Sequence, residues 1–234
     1  MPSRTSFKII AFDLYGTLAN LGAVADRCRE ITPDGDAFFA SWRAKQLEYT
    51  FLATLMGRYK DFREITERSL DHTLERYSVK VDANQRKSLM DAWLKLAAYP
   101  EVAAALNVLG QKYELAILSN GSPSMLERGL KAAGIRPYFR WVLSAHSVKA
   151  YKPSPRVYDI AVKKTKQAKT KILFVSSNSW DAVGAKNFGL KVCWVNRAGT
   201  NFDTLGPKPD IVAKDLLELI NQLGLKAPGE LRLS

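Results

Sequence analysis

Four short apolar runs in this 234-residue chain each lead into side chains able to do chemistry. Asp13 follows "IIAF", with Thr17 four residues on. Ser119 and Asn120 follow "LAIL". Lys152 comes after a short loop beyond the run that starts at Trp141. Ser176, Ser177 and Asn178 follow "ILFV", with Asp181 just beyond. A carboxylate, a cation to favour its ionised form, hydroxyls to orient it and a second carboxylate to activate water are the parts of covalent catalysis by Asp. Taken singly, each has a plainer role. A Ser-Asn pair after a strand closes a turn or caps a helix, and a lone Lys is a solvated surface group. Their recurrence in register with the apolar runs favours one shared site.

That register requires a frame. Strand-length runs lie at 8–12, 115–118, 141–143, 172–175, 192–195 and 211–212, and helix-like stretches separate most of them. Pro100 is expected in the first turn of a helix over "EVAAALNVLG". Ser122 is the expected N-cap of the next helix, with Pro123 inside it and Gly134 as its stop, and Ser154 and Pro155 repeat the pattern. Alternation of this kind predicts a mostly parallel sheet covered on both faces, with ligands outside the carboxyl ends of its strands. Residues 19–98 break the alternation: 36–59, 61–78 and 82–98 read as helices with apolar stripes. The expectation is an α/β protein with a Rossmann-like three-layer core, 1–18 and 99–234, and an inserted helical cap, 19–98. The tail from 226 to 234 is expected to be loose.

The composition, 47% hydrophobic and 25% charged, is that of a globular protein, and no run is long enough to span a membrane. Two cysteines, Cys28 and Cys193, suggest neither a disulfide framework nor a zinc site. With no secretory segment at the N-terminus, the expected location is cytoplasmic. The formal net charge of +12 attracts anions. The densest basic run, 163–171, has no interleaved aromatics and reads as a solvated helix end rather than a nucleic-acid surface. The expected partner is therefore a small carboxylate or phosphate, not nucleic acid or membrane.

Together "DLYGT", "SNGSP", "YKPSPRVY" and "FVSSNSWDAVGAKNFG" resemble the haloacid dehalogenase (HAD) superfamily. "WRAKQLEYT" and "SSNSWD" narrow the resemblance to the L-2-haloacid dehalogenases, also called type II (S)-2-haloacid dehalogenases. Most of the superfamily transfers phosphoryl groups, using a second Asp two positions after the nucleophile and a magnesium ion held by further carboxylates. Here the second position is Tyr15, and the downstream segment is Ser176-Ser177-Asn178. No metal site and no cofactor are expected, and phosphorus is a poor target. A phosphatase, or a basic protein without turnover, remains the alternative.

The resemblance implies that Asp13 displaces halide from a 2-haloacid and forms an ester, which water then hydrolyses at the Asp13 carbonyl. It gives Arg43 the role of halide electrophile, with Asn120 beside it. Ser119 and the backbone of Leu14 and Tyr15 are to hold the substrate carboxylate, while Tyr15, Leu47, Phe62 and Trp180 shape the pocket. Thr17 orients Asp13, and Asp181 is the base, with Ser176, Asn178 and Lys152 around it and Tyr158 as a buttress. Ala44 stands where relatives often carry a longer polar residue, which bears on substrate preference. His146 reads as a loop histidine. Dimerisation is common in the family, and apolar residues of the helical segment offer a surface for a homodimer.

Overall fold

The computed structural model describes residues 7–226, so the tail beyond Lys226 lies outside the described residues. The first strand, β1 (Ile9–Phe12), is buried at every position. Runs apolar on both faces belong in the middle of a parallel sheet, where helices cover both sides. β1 is flanked by β2 (Glu114–Ser119) and β4 (Ile172–Ser176). Beyond them lie β3 (Trp141–Ser144) on one side and β5 (Lys191–Val195), then β6 (Ile211–Ala213), on the other. Every pairing is parallel. The expected "mostly parallel" sheet is wholly parallel among the described residues.

The chain runs outward from β1 through β2 to β3, then returns to β4 on the opposite side of β1. That reversal makes a crevice at the carboxyl ends of β1 and β4. The register aligns Phe12 with Ile117 of β2 and with Val175 of β4, so Asp13 emerges level with Ser176.

Between β1 and β2 the chain forms α1 (Gly22–Arg29), α2 (Gly35–Leu55), α3 (Phe62–Arg76), α4 (Ala83–Ala92) and α5 (Val102–Gly110). The α2 stripe Phe38, Trp42, Gln46 and Thr50 is buried, with α3 packed alongside. Asp61 caps α3, its carboxylate accepting from Arg63 N at 2.8 Å, and Asp82 with Gln85 forms a capping box on α4. The two ends of the stretch that carries α1–α4 are zipped together. Asn20 N donates to Ala97 O at 2.8 Å and Tyr99 N to Leu18 O at 3.0 Å, around an antiparallel bridge between Ala19 and Ala98.

The remaining helices, α6 (Pro123–Ala132), α7 (Pro155–Thr165), α8 (Ser179–Phe188) and α9 (Leu216–Gln222), pack on the sheet, α9 beside α5 and α7 beside α8. Three local expectations are corrected. α5 begins at Val102, with Pro100 in the turn before it. Ser122 and Ser154 occupy the N-cap positions of α6 and α7, but neither hydroxyl caps the helix. In both helices proline at the first position already removes one of the free N–H groups of the helix start.

Candidate active site

Asp13 stands at the tip of β1, 6% exposed, its backbone N–H held by Val175 O at 2.9 Å. Both carboxylate oxygens are engaged. Oδ1 accepts from Lys152 Nζ at 3.1 Å. Oδ2 accepts from Thr17 Oγ1 at 3.1 Å and Asn178 Nδ2 at 3.0 Å. Thr17 reaches back because Gly16, with φ at +82°, turns the chain sharply in a conformation that disfavours side-chain-bearing residues. Thr17 Oγ1 also accepts from Ser177 N at 2.9 Å, tying the β1 turn to the β4 turn.

Asp181 lies in the first turn of α8 and is fully buried, favoured there by the positive end of the helix dipole. Its Oδ1 accepts from Tyr158 Oη at 2.8 Å, and its Oδ2 from Lys152 Nζ at 2.9 Å and Ser176 Oγ at 3.0 Å. Tyr158 can approach because residue 184 is glycine: a Cβ there would stand 2.6 Å from the tyrosine hydroxyl and from Pro153 Cβ. Lys152, 1% exposed, is thus shared by two carboxylates and sits 4.7 Å from the centre of the Phe174 ring. Its backbone N–H donates to Asn120 Oδ1 at 2.9 Å, which fixes the loop to the tip of β2.

Burial alone would push the Lys152 ammonium down, but Asp13 and Asp181 more than offset it and hold it above the ordinary lysine value. Burial raises the Asp181 carboxyl, with Lys152 opposing and Asp13 adding to the rise. Burial, then Asp181, raises the Tyr158 hydroxyl well above its usual value, so it remains a donor. These residues do not fit a magnesium ion. An ammonium already occupies the place between the two carboxylates that a divalent cation would share, and no cluster of three or more His, Cys, Asp or Glu able to hold a metal occurs among the described residues.

The opposite wall is aromatic. Tyr15, 3% exposed, has its ring 5.7 Å from Phe62 and 5.9 Å from Trp93. Phe62 opens α3 and lies 6.0 Å from Tyr151, the neighbour of Lys152. Arg43 projects from α2, its guanidinium carbon 5.7 Å from the centre of Trp93. Burial pushes its pKa below the ordinary value, and the nearby Asp13 and Tyr15 oppose that. Tyr15 Oη and Trp93 Nε1 are buried and find no hydrogen-bond partner among the described residues.

Asp13, Thr17, Lys152, Tyr158, Ser176, Asn178 and Asp181 therefore form one continuous network, joined through Lys152 to Asn120. Ser119, fully buried, accepts from Gly121 N at 3.3 Å. Leu14 is 1% exposed and its side chain approaches Gly129 of α6, which leaves its backbone as the part available to a ligand. Leu47 is half-buried on α2. Trp180 packs at 5.3 Å on Phe51, in an apolar groove of about 720 Å³ that also takes in Leu55, Leu205 and Lys152. His146 is not idle: Tyr59 Oη lies 3.0 Å from its Nδ1, and Tyr59 stacks at 5.1 Å on Tyr151.

Sequence reasoning missed Gln46, Trp93 and Arg197 as parts of this assembly, and named Ser177 after the fourth run without giving it a role. Gln46 is polar on the stripe of Phe38 and Trp42, which is a readable signal. Ser177 sits in the run that supplied Ser176 and Asn178. Arg197 had no local signal. It donates from Nε and Nη2 to Thr17 O at 3.2 and 3.0 Å, pairs with Glu101 at 2.7 Å and covers Tyr99 at 3.9 Å.

A family model described as haloacid dehalogenase-like hydrolase matches residues 7–189. An (S)-2-haloacid dehalogenase of Pseudomonas sp. (strain YL) is 46% identical over 87% of this chain and 88% of its own. A haloacetate dehalogenase H-2 of Moraxella sp. (strain B) is 42% identical over 86% of this chain and 91% of its own. Among solved structures, the L-2-haloacid dehalogenase of Xanthobacter autotrophicus with chloropropionic acid covalently bound superposes with a TM-score of 0.84 at 33% identity, covering 92% of this chain and 98% of that one.

Proposed function

The chain belongs to the haloacid dehalogenase-like hydrolases and is a hydrolytic (S)-2-haloacid dehalogenase, and from that premise we propose how its own residues carry the reaction. Of the described residues, those within 1–18 and 99–234 form the catalytic core, and residues 19–98 the cap over it. Asp13 attacks C2 of an (S)-2-haloacid from the side opposite the halogen. The carbon–halogen bond breaks as the ester bond forms, and the halide leaves with the electron pair. Configuration inverts once.

The step brings the substrate carboxylate to an anionic nucleophile. At about 4 Å and an effective dielectric near 20, that repulsion is about 4 kcal/mol. Lys152 beside Asp13 offsets it, with Ser119 and the backbone N–H groups after Asp13 on the substrate carboxylate. Arg43 and Asn120 receive the halide between the rings of Tyr15 and Phe62, with Leu47 and Trp180 completing the pocket.

Water then adds to the carbonyl carbon of Asp13 while Asp181 takes its proton. Thr17 and Asn178 hold the developing oxyanion, and Ser176 and Tyr158 hold Asp181. Collapse expels the product oxygen, which recovers the proton, and an (R)-2-hydroxyacid leaves. The second step does not touch the stereocentre. No metal ion takes part.

The observation that carries this reading is the Lys152 ammonium bridging two buried carboxylates, at 3.1 and 2.9 Å. The test is halide release from L-2-chloropropionate in EDTA. Wild type turns over, Asp13→Asn does not, and the D-enantiomer is untouched. In oxygen-18 water, a single turnover labels the Asp13 peptide before the product. Label entering product directly, or a strict need for a divalent ion, would end the proposal.

Among the described residues no helix is long and apolar enough to cross a membrane. The reading includes a cytoplasmic location, which suits the two free buried thiols Cys28 and Cys193. It also includes a homodimer using the exposed Leu52, Leu55 and Met56 at the end of α2, testable by sedimentation.

A further inference from the structure

Arg43 is held from behind by a buried amide. Gln46 lies three residues on along α2, on the same side of the helix, and is fully buried. Its Oε1 accepts from Arg43 Nη1 at 2.5 Å, and its Nε2 donates to Thr66 Oγ1 at 2.7 Å. Thr66 Oγ1 donates in turn to Phe62 O at 2.7 Å. The direction of this chain is forced. The single hydroxyl proton of Thr66 is committed to the Phe62 carbonyl, so its oxygen can only accept from Gln46. Gln46 must then turn Oε1 to the guanidinium, because the reversed amide would set two donors head to head. Trp42 Nε1 donates to Thr66 O at 3.0 Å and pins the same turn of α3.

A guanidinium is planar and carries its N–H groups in a fixed fork. Holding one nitrogen sets the plane in which the others point. The Arg43 side chain has several rotatable bonds, and the broad face of Trp93 and the charge of Asp13 do not fix the plane of its head group. We propose that Gln46, backed by Thr66, is a positioning residue that aims the Arg43 guanidinium at the departing halide. The inference rests on the reading above, in which Arg43 stabilises the halide and an ester forms on Asp13.

The consequence is confined to one half-reaction. Halide charge develops while the ester forms and is gone when water attacks. A misaimed guanidinium therefore slows ester formation and leaves ester hydrolysis alone. Chloride, the poorer leaving group, suffers more than bromide. A residue that only supported the fold would slow both steps and both halides alike.

The experiment is single turnover with L-2-chloropropionate and L-2-bromopropionate, following free halide for ester formation and the mass of the Asp13 peptide for hydrolysis. Gln46→Met is expected to slow ester formation from the chloro acid about 10- to 100-fold, the scale of losing orientation. The bromo acid loses less, and the ester decays within about twofold of the wild-type rate. Thr66→Val, which preserves Gln46, shows the same pattern more weakly, and Thr66→Ser restores the wild-type rates. Should Gln46→Met fail to fold, the Thr66 pair decides alone. Equal slowing of both steps, or no slowing in any variant, overturns the inference while leaving the ester route standing. Absence of any Asp13 ester in wild type overturns the displacement reading and this inference with it.

Discussion

The two walls of the site are held by different means. On the sheet side, each oxygen of Asp13 and Asp181 has a partner, supplied by Thr17, Asn178 and Lys152 on Asp13 and by Tyr158, Lys152 and Ser176 on Asp181. The strand tips beneath them are fixed by the ladder itself, through Asp13 N to Val175 O. On the helical side, Arg43 bonds to Gln46, while Tyr15 Oη and Trp93 Nε1 find no partner among the described residues. A wall saturated with hydrogen bonds holds reacting atoms to sub-ångström tolerance but cannot adapt. A wall of rings and underused donors accepts different occupants. On the reading proposed above, the sheet side carries the nucleophile and the base, and the helical side receives the halide and shapes the pocket.

The sharpest way to break this contrast is at the nucleophile. Asp13→Asn is expected to lower halide release by at least about four decades for every 2-haloacid tried, as for members of a catalytic unit. Retention of the wild-type rate would place the nucleophile elsewhere.

Asp181→Asn comes next. Halide is still released once per site, the Asp13 ester persists, and turnover falls about 10²- to 10⁴-fold, read by peptide mass. The same step carries a pH signature. The folded Asp181 is raised above its ordinary value, mainly by burial, so it is a base only above that raised value. Ester hydrolysis therefore falls as the pH drops through it. The fall occurs at a higher pH than the ~3.9 of a free aspartate would give.

Arg197→Met removes the clamp on Thr17 O without touching the pocket. The expected cost is about tenfold in kcat, the same for chloride and bromide, because only the sheet side is disturbed. Unequal losses would show that the two walls are coupled through Tyr99, whose ring Arg197 covers.

The smallest effects are on stability. Ser176→Ala frees a buried partner of Asp181 and Asn178 N–H, and thermal unfolding should report a loss of about 1–3 kcal/mol. Tyr15→Phe removes a hydroxyl that satisfies nothing, and the free protein should unfold at or above the wild-type temperature.

The sheet side is also the side the sequence revealed. Asp13, Ser119 and Ser176 end buried runs, and the carboxyl ends of parallel strands converge whatever lies between them. Lys152 and Asp181 follow the third and fourth runs closely enough to share that edge. Gln46 was visible only as a polar residue on an apolar stripe. Its meaning needed Thr66 on another helix. Arg197 is 180 residues from Thr17, and no spacing rule links them. Trp93 carries no signal beyond its place in a helical stretch, and its N–H, without a partner among the described residues, is revealed by packing alone. The hydroxyls of Ser122 and Ser154 mislead for the converse reason: the residue type is right for a cap, but geometry leaves it unused.

The zipped crossing at Ala19 and Ala98 turns the whole helical block into a hairpin on a two-strand stem. Its ends meet at that bridge, about one strand spacing apart, ~5 Å. Such a stem is a natural graft point. A foreign helical segment with ends at that spacing, and with its own arginine at the place of Arg43, could replace 20–97 and leave the catalytic floor in register, so new halogenated acids can be sought by exchanging the block whole rather than by editing the floor.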